Sequence, residues 1–565
     1  MSFNEEISGI EYVIFKLNTF QFNAGILGFI RLLEFLDADK GKGCDYFYEK
    51  DYLYVSKEYI LKSNLTDAYI GAHIKRYEKE TAYNDIINAY EAIKNLTEKY
   101  EKSGDKLDKK SLDDKYKSII DKLSRASYKS GYEIIKSKSI NCRIEELISD
   151  MKGTRDYNKK LEALKTLYSD ITKKEYKDIL CFKDIIYNRI NMLWTNKSFL
   201  NRSNAKKDMK ELFKKDFENP FKELLSSKVM KKNKVCIECD EVVCETVDIS
   251  FMVDTVEDMG KKKSVFWNCI PDTGVCAACA FIYSLTPLGF FSVGRDLMFI
   301  NINDSVQAVE ALNSTAGFAH EENIGDNKKI SQIYNSIINS ESVYNLKKLS
   351  NIQVITRKKD NENSIYQFNI IGRDLLEVIK KNQKELEYLT KIFVKDGDEF
   401  INVYSEVITN IFNYRRQYNL MNRLLKLSLR EEKARSTNYI YNILKIQIYQ
   451  RGEDKMGKAY KIAMAASFCG RDMRKALTSE VRAEKDVDNK LRGFVYQLLN
   501  ALQSSNRESF LNLIIRMYSS MGKPVPGVFL SSFESEENFK DIGYAYVLGL
   551  KNEQYEKEGE DKGNE

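Results

Sequence analysis

Val235-Cys236-Ile237-Glu238-Cys239 and Val275-Cys276-Ala277-Ala278-Cys279 are two CxxC knuckles, thirty-six residues apart. Each holds two thiols one tight turn apart, so that both sulfurs can face one ion. Two knuckles supply four soft ligands in a tetrahedron, the arrangement preferred by Zn²⁺ in closed structural sites. A lone CxxC also fits a redox pair, and any of these cysteines could be a reduced core residue. The paired knuckles point to zinc, although the gap exceeds the commonest spacing of roughly 15–20 residues. Cys244 and Cys269 lie in the same window, and either could substitute as a ligand. Four thiolates leave no coordination position for water or substrate, so the expected role of the metal is structural.

Outward from the knuckles the chain changes character on both sides. Lys231, Lys232 and Lys234 lead into the first knuckle, and Lys261, Lys262 and Lys263 occupy a turn between the two. A basic turn on a pinned ribbon suits a phosphate backbone, and equally suits a solvated loop. Strands are expected at 247–253, over 289–302 with Arg295 at the centre, and at 351–357 and 364–371. Towards the N-terminus, residues 9–18 read as a strand. A helix at 24–36, capped by Asn23, is apolar on nearly every side and therefore buried. Gly25 and Gly28 on it would admit another backbone. Residues 44–56 read as a hairpin turning at Glu49-Lys50-Asp51. Between 59 and 215 the pattern is helical and charged, with helices at 82–103, 112–126, 157–170 and 205–217. Mixed signs there describe solvated faces, except that 204–215 is locally basic and could touch phosphate. Beyond residue 373, helices are expected at 374–392, 398–415, 419–434 and 437–449.

The fold class implied is α+β, mostly helical: a mixed N-terminal and central region with a four-cysteine zinc ribbon, then a C-terminal helical bundle. The expected divisions are 1–225 with a charged helical insertion, 226–372 with the ribbon and strands, and 373–565. The chain has 565 residues, 43% hydrophobic and 30% charged, enough for several globular domains. Ten cysteines without a signal peptide indicate a reducing cytoplasm. No apolar run is long enough for a membrane span. His73 and His320 are the only histidines, which counts against histidine-dependent hydrolases. The acids Asp248, Asp254 and Asp258 have no recognisable metal-site spacing.

The net charge of +6 hides two opposed segments. Residues 456–523 carry twelve lysines and arginines against six acids, whereas 524–565 carry four against ten. A helical block with a basic face suits sequence-independent contact with a nucleic-acid backbone. Its leading candidates are Arg471, Arg474, Lys475, Arg482 and Arg492. The residues after Lys551 read as a polar, frayed end.

Three features together resemble the CXXC–CXXC family of CRISPR-associated proteins, the large subunit of a type I-B Cascade surveillance complex. They are the buried helix Asn23-Ala-Gly-Ile-Leu-Gly-Phe-Ile-Arg-Leu-Leu-Glu34, the knuckles Cys236/Cys239 and Cys276/Cys279, and a C-terminal set. That set is Leu498-Leu-Asn-Ala-Leu-Gln503, Asn506 to Tyr518 and Gly522-Lys-Pro-Val-Pro526. The resemblance implies a non-catalytic subunit that inspects the protospacer-adjacent motif (PAM) in duplex DNA, stabilises the R-loop and helps recruit a helicase–nuclease. Its implied partners are guide RNA, target duplex DNA, and the backbone, handle-binding and small subunits of the complex. Protein would read a short motif and shape, while RNA pairing reads sequence. Arg451-Gly-Glu-Asp-Lys455 precedes Met456, and in an AT-rich gene the codons expected for Arg-Gly-Glu, AGA-GGA-GAA, contain AGGAG, a ribosome-binding sequence just upstream of that ATG. Residues 456–565 are therefore expected also as a separate small subunit, against the alternative that Met456 is an ordinary helix residue. The competing functions are a zinc-ribbon nucleic-acid-processing enzyme and a purely structural scaffold of a ribonucleoprotein.

Overall fold

The computed structural model describes residues 4–7, 9–103, 109–138, 140–154, 156–226, 234–254, 274–317, 333, 352–360, 363–397, 399–430, 438–452, 457–479 and 484–551. The fold is α+β and mostly helical, as expected. The chain divides into two compact units: Met1–Ser314 with Val354–Phe368, and Thr315–Gln353 with Asn369–Glu565. The boundary expected at 225 lies inside the first unit, because the ribbon and the N-terminal helix share one core.

In the first unit, β1 (Asn4–Ile7), β2 (Ile10–Lys16), β3 (Tyr46–Glu49) and β4 (Tyr52–Ser56) form an antiparallel sheet of order β1-β2-β4-β3. The tight turn between β3 and β4 passes through Lys50 at φ 53°. Helix α1 (Phe20–Phe35) follows β2 and is buried along most of its length. Its cap is Thr19, which accepts from the Phe22 N–H at 3.3 Å, rather than Asn23. Asn23 lies inside the helix, where its Nδ2 donates to Asn301 Oδ1 at 2.8 Å and Asn303 Oδ1 at 2.6 Å.

Gly25 and Gly28 do what their missing side chains permit. A Cβ at Gly25 would meet the Ile282 carbonyl oxygen at 2.3 Å, and one at Gly28 the Leu285 oxygen at 2.2 Å. α1 thus rests directly on the backbone that leaves the second knuckle. Overpacking such a contact costs about 1–3 kcal/mol.

The helical insertion is built as its periodicity requires. Ala82–Ser103, Lys109–Leu123, Ala126–Ser137, Ile144–Gly153, Tyr157–Ile171 and Lys174–Asn188 turn residues such as Ile119, Leu123, Ile135, Leu167 and Leu180 inward. Their charges pair in solvent, as in Lys122–Asp85 at 2.5 Å, and such exposed pairs stabilise little. The ribbon strands are short: β5 (Lys234–Val235) with β6 (Val242–Val243), and β7 (Val247–Asp248) with β8 (Gly274–Val275). The strand expected over 247–253 stops at Asp248, whose Oδ1 accepts the Ser250 N–H and starts the turn Ile249–Phe251. Helix α2 (Ala277–Ser284) follows β8. β9 (Phe291–Val293), β10 (Asp296–Asn301), β11 (Ile352–Asp360) and β12 (Asn363–Ile371) form a second sheet, ordered β12-β11-β10-β9.

The second unit opens with Arg373–Lys381 and Gln383–Leu389, then β13 (Phe393–Asp396) and β14 (Glu399–Asn402). This hairpin replaces the helical continuation expected there. Gly397 takes φ 66° at an Asp-Gly turn, a conformation that breaks the helical pattern. Helices α3 (Val403–Phe412), α4 (Tyr418–Arg430), α5 (Asn438–Gln450), α6 (Lys458–Ser479), α7 (Glu484–Gln503), α8 (Arg507–Ser520) and α9 (Glu536–Leu550) complete the bundle. α9 begins with Ser535 accepting the Asn538 N–H at 3.0 Å, and is buried on all sides from Ile542 to Leu550. It crosses α6 at Gly470 and Gly549, where a Cβ would lie 2.3 Å from the Tyr546 oxygen or 2.1 Å from the Ser467 oxygen.

Asp541, 2% exposed on α9, accepts from Tyr418 Oη at 2.9 Å and Arg451 Nη1 at 2.5 Å. Burial pushes its carboxyl up to about 6, against the pull of Arg451 and Tyr418. A raised folded value makes this group most favourable to folding below the unfolded range near ~3.9, and less so as pH rises through 6. Arg451→Met removes the cation that holds the carboxylate, with a cost of about 3–5 kcal/mol once it must ionise. The drop in melting temperature relative to wild type should be larger at pH 8 than at pH 5; equal drops would show that Arg451 does not hold Asp541.

Candidate metal centre

The first knuckle is a turn tied to itself. The Cys236 N–H donates to the Glu241 oxygen at 2.9 Å and the Asp240 N–H to the Cys236 oxygen at 2.9 Å, with Asp240 at φ 58°. The second knuckle is a helix start. Cys276 caps α2, its sulfur accepting the Cys279 N–H at 3.4 Å. The two are joined by Ile237 N–H to the Gly274 oxygen at 3.0 Å and by Cys276 N–H to Cys236 Sγ at 3.1 Å. The sulfurs of Cys236, Cys239, Cys276 and Cys279 all lie within 4.8 Å of one another. Cys239 and Cys276 Sγ are 3.9 Å apart. A cation with metal–sulfur bonds of about 2.3 Å spaces tetrahedral sulfurs about 3.8 Å apart, so these residues could hold one.

The electrostatics also favour a cation. Hydrogen bonds from Cys239, Cys276 and Cys279 push the Cys236 thiol far down, helped by the Cys276 N–H. Hydrogen bonds with Cys236 and Cys239 push the Cys276 and Cys279 thiols up. A thiolate is favoured at Cys236 and opposed at Cys276 and Cys279, an opposition that a bound cation would relieve. Three of the sulfurs are buried and Cys239 is half-buried. Cys244 is not in this group, and Cys269 falls outside the described residues.

Glu238, between the first two cysteines, was not singled out by sequence. Its carboxylate accepts from Tyr283 Oη on α2 and, at 3.0 Å, from Asn18 Nδ2 before α1. Burial pushes this carboxyl up. Glu238 therefore clamps the first knuckle to both helices of the core. Only the fold brings its partners together, since they lie 220 and 45 residues away.

The remaining candidates are dispersed. Lys261, Lys262, Lys263, Arg482 and Met456 fall outside the described residues. Arg295 is exposed at the β9–β10 turn. On α6, Lys475 is exposed and Arg471 lies over the Phe468 ring at 4.2 Å. Arg492 is exposed on α7. Arg474 is 4% exposed and donates to the Leu550 oxygen at 3.0 Å, so it closes the C-terminus of α9 rather than facing a polyanion. It lies one turn beyond Gly470, on the face that packs against α9. Of the scattered acids, Asp248 caps a turn and Asp254 pairs with Arg357. Asp258 lies outside the described residues. His73 is buried with Nδ1 2.7 Å from the Tyr69 oxygen, and burial pushes its imidazole down to about 3. Among the described residues, the four cysteines form the one group of three or more His, Cys, Asp or Glu that could hold a metal, and no helix is long and apolar enough to cross a membrane.

The geometry is that of a four-cysteine ribbon set on a mostly helical α+β core. Residues 229–291, which contain both knuckles and α2, match the family model of a CRISPR-associated protein (Cas_CXXC_CXXC). No curated protein and no solved structure matches the chain.

Cys276→Ser keeps an oxygen that can cap α2 but removes a thiolate. The variant should lose bound metal and melt lower, because structural zinc contributes about 10–16 kcal/mol to folding in small domains. Unchanged metal content and melting would mean that the cluster does not bind metal.

Proposed function

We propose that the protein is the non-catalytic large subunit of an RNA-guided CRISPR antiviral complex, of the type I-B Cascade kind. The observation that carries this reading is the match over 229–291 to a CRISPR-associated family, on the segment where four thiolates meet. The metal is zinc and its role is structural: four sulfurs fill a tetrahedron and leave no position for water. In this reading the first unit inspects the adjacent motif in duplex DNA, and the second lies along the R-loop and helps recruit a helicase–nuclease. Lys475 and Arg492, both exposed, support the second role, with Arg471 one turn before Lys475; Arg474 is withdrawn from it by its burial. The helices after Met456 would also be made as a separate small subunit.

The test is purification of the tagged chain from cells that carry its own CRISPR locus. Short RNAs with a constant 5′ handle, and the backbone proteins, should co-purify. Charge reversal at Lys475 and Arg492 should then weaken R-loop formation on many targets without changing motif choice. A chain that carries no guide RNA, or an altered motif preference, would contradict the reading.

A further inference from the structure

A strongly basic stretch of the first unit lies beside the ribbon. Residues 196–215 hold seven lysines and arginines against two acids, while the whole chain nets only +6. The stretch folds as two turns, Ser198–Leu200 and Arg202–Asn204, then Met209–Phe213 and the π-helical turn Lys214–Glu218. Its inner side is an aromatic platform. Phe213 lies 6.3 Å from Phe199 and 5.0 Å from Phe217, and Phe217 lies 5.5 Å from Trp194. Backbone bonds fasten the platform to the ribbon: Thr195 N–H to the Phe251 oxygen at 2.8 Å, and Val253 N–H to the Leu193 oxygen at 3.0 Å. From beneath, buried Lys183 donates to the Ala205 oxygen at 2.7 Å and fixes the turn.

With the rings inside, the cations are outside. Lys210 pairs with Asp67 at 2.6 Å, and Asp208 is taken by Lys138 at 2.8 Å. Lys197 lies over the Phe217 and Phe251 rings. Arg202, Lys206, Lys207, Lys214 and Lys215 remain exposed, without an ion pair to any described residue. Lys207 donates to Asn204 Oδ1 at 2.9 Å.

We propose that this layer is a docking surface for the phosphate backbone of duplex DNA, held without regard to sequence. Five unneutralised cations suit a duplex, which presents one charge per about 1.7 Å of axis. Both aromatic rings of the stretch, Phe199 and Phe213, are buried, as are Trp194 just before it and Phe217 just beyond. A single strand would need exposed rings on which to stack its bases, whereas a duplex arrives already stacked. The inference rests on the reading of the chain as a DNA-recognition subunit. It adds a surface that positions the duplex, apart from whatever reads bases.

The test uses the full chain and fluorescence anisotropy, with a short duplex of arbitrary sequence and its separate strands, from about 50 to about 200 mM salt. Two variants split the layer: Arg202→Glu with Lys206→Glu and Lys207→Glu, and Lys214→Glu with Lys215→Glu. Each should retain the wild-type melting temperature. The triple variant should bind duplex about tenfold or more weakly near ~100 mM salt, with a salt slope shallower by about 2–3, on unrelated sequences alike. Lys109→Glu with Lys110→Glu, on the mixed-charge insertion, should bind as wild type. Unchanged affinity in both layer variants, or a wild type that prefers the single strand, overturns the proposal. A chain that co-purifies guide RNA yet ignores duplex overturns this surface alone, and a chain that binds duplex through this layer without guide RNA overturns only the assembly.

Discussion

Helix α2 is buried at both ends, and the backbone groups it leaves unsatisfied dictate what surrounds it. A buried helix end must find partners for its last carbonyls. Here Trp194 Nε1 and Tyr69 Oη donate to the Ser284 oxygen at 3.2 and 3.3 Å. Just beyond, Tyr77 Oη reaches the Pro287 oxygen at 2.6 Å, Arg31 Nη1 the Gly289 oxygen at 3.0 Å, and Arg76 Nη2 the Phe290 oxygen at 2.7 Å. Donors from three separate regions of the chain thus converge on one turn. At its other end, the Cys279 N–H and that of the cap residue Cys276 donate to sulfur, where the positive end of the helix favours thiolate. The core and the four-cysteine cluster are two ends of one element, which is why the ribbon belongs to the N-terminal unit.

The second unit solves a similar problem with a different central helix. α9 is enclosed by the bundle, meets α6 backbone to backbone, and has its last carbonyl capped by Arg474. Its one buried carboxylate, Asp541, requires Arg451 and Tyr418. Charged residues that look alike in sequence therefore divide into those that close the interior and those that face solvent. Lys475 and Arg492 belong to the second kind, and Arg474 to the first.

Much of this was legible in the residues. The CxxC spacing names four ligands that the fold then gathers, because the chemistry of the site is carried by residue type. Gly25 and Gly28 announced a close crossing because nothing else tolerates one. The rest depended on distance in space. Nothing local tells that Glu238 meets Asn18 and Tyr283, or that Arg474 points inward. The hairpin at Phe393–Asn402 had a visible signal in Asp396-Gly397, overridden by helical periodicity on either side. Asn23 looked like a cap because it precedes an apolar run, but Thr19 begins the helix one turn earlier and Asn23 serves a buried polar network.

The account depends on four sulfurs closing around one cation at the start of α2. X-ray absorption at the zinc edge, on the purified full chain, measures that directly. A shell of four sulfurs at about 2.3 Å, with no nitrogen or oxygen ligand, is the predicted result. A first shell containing nitrogen or oxygen would mean an open or differently built site, and protein purified without bound metal would contradict the account at its root.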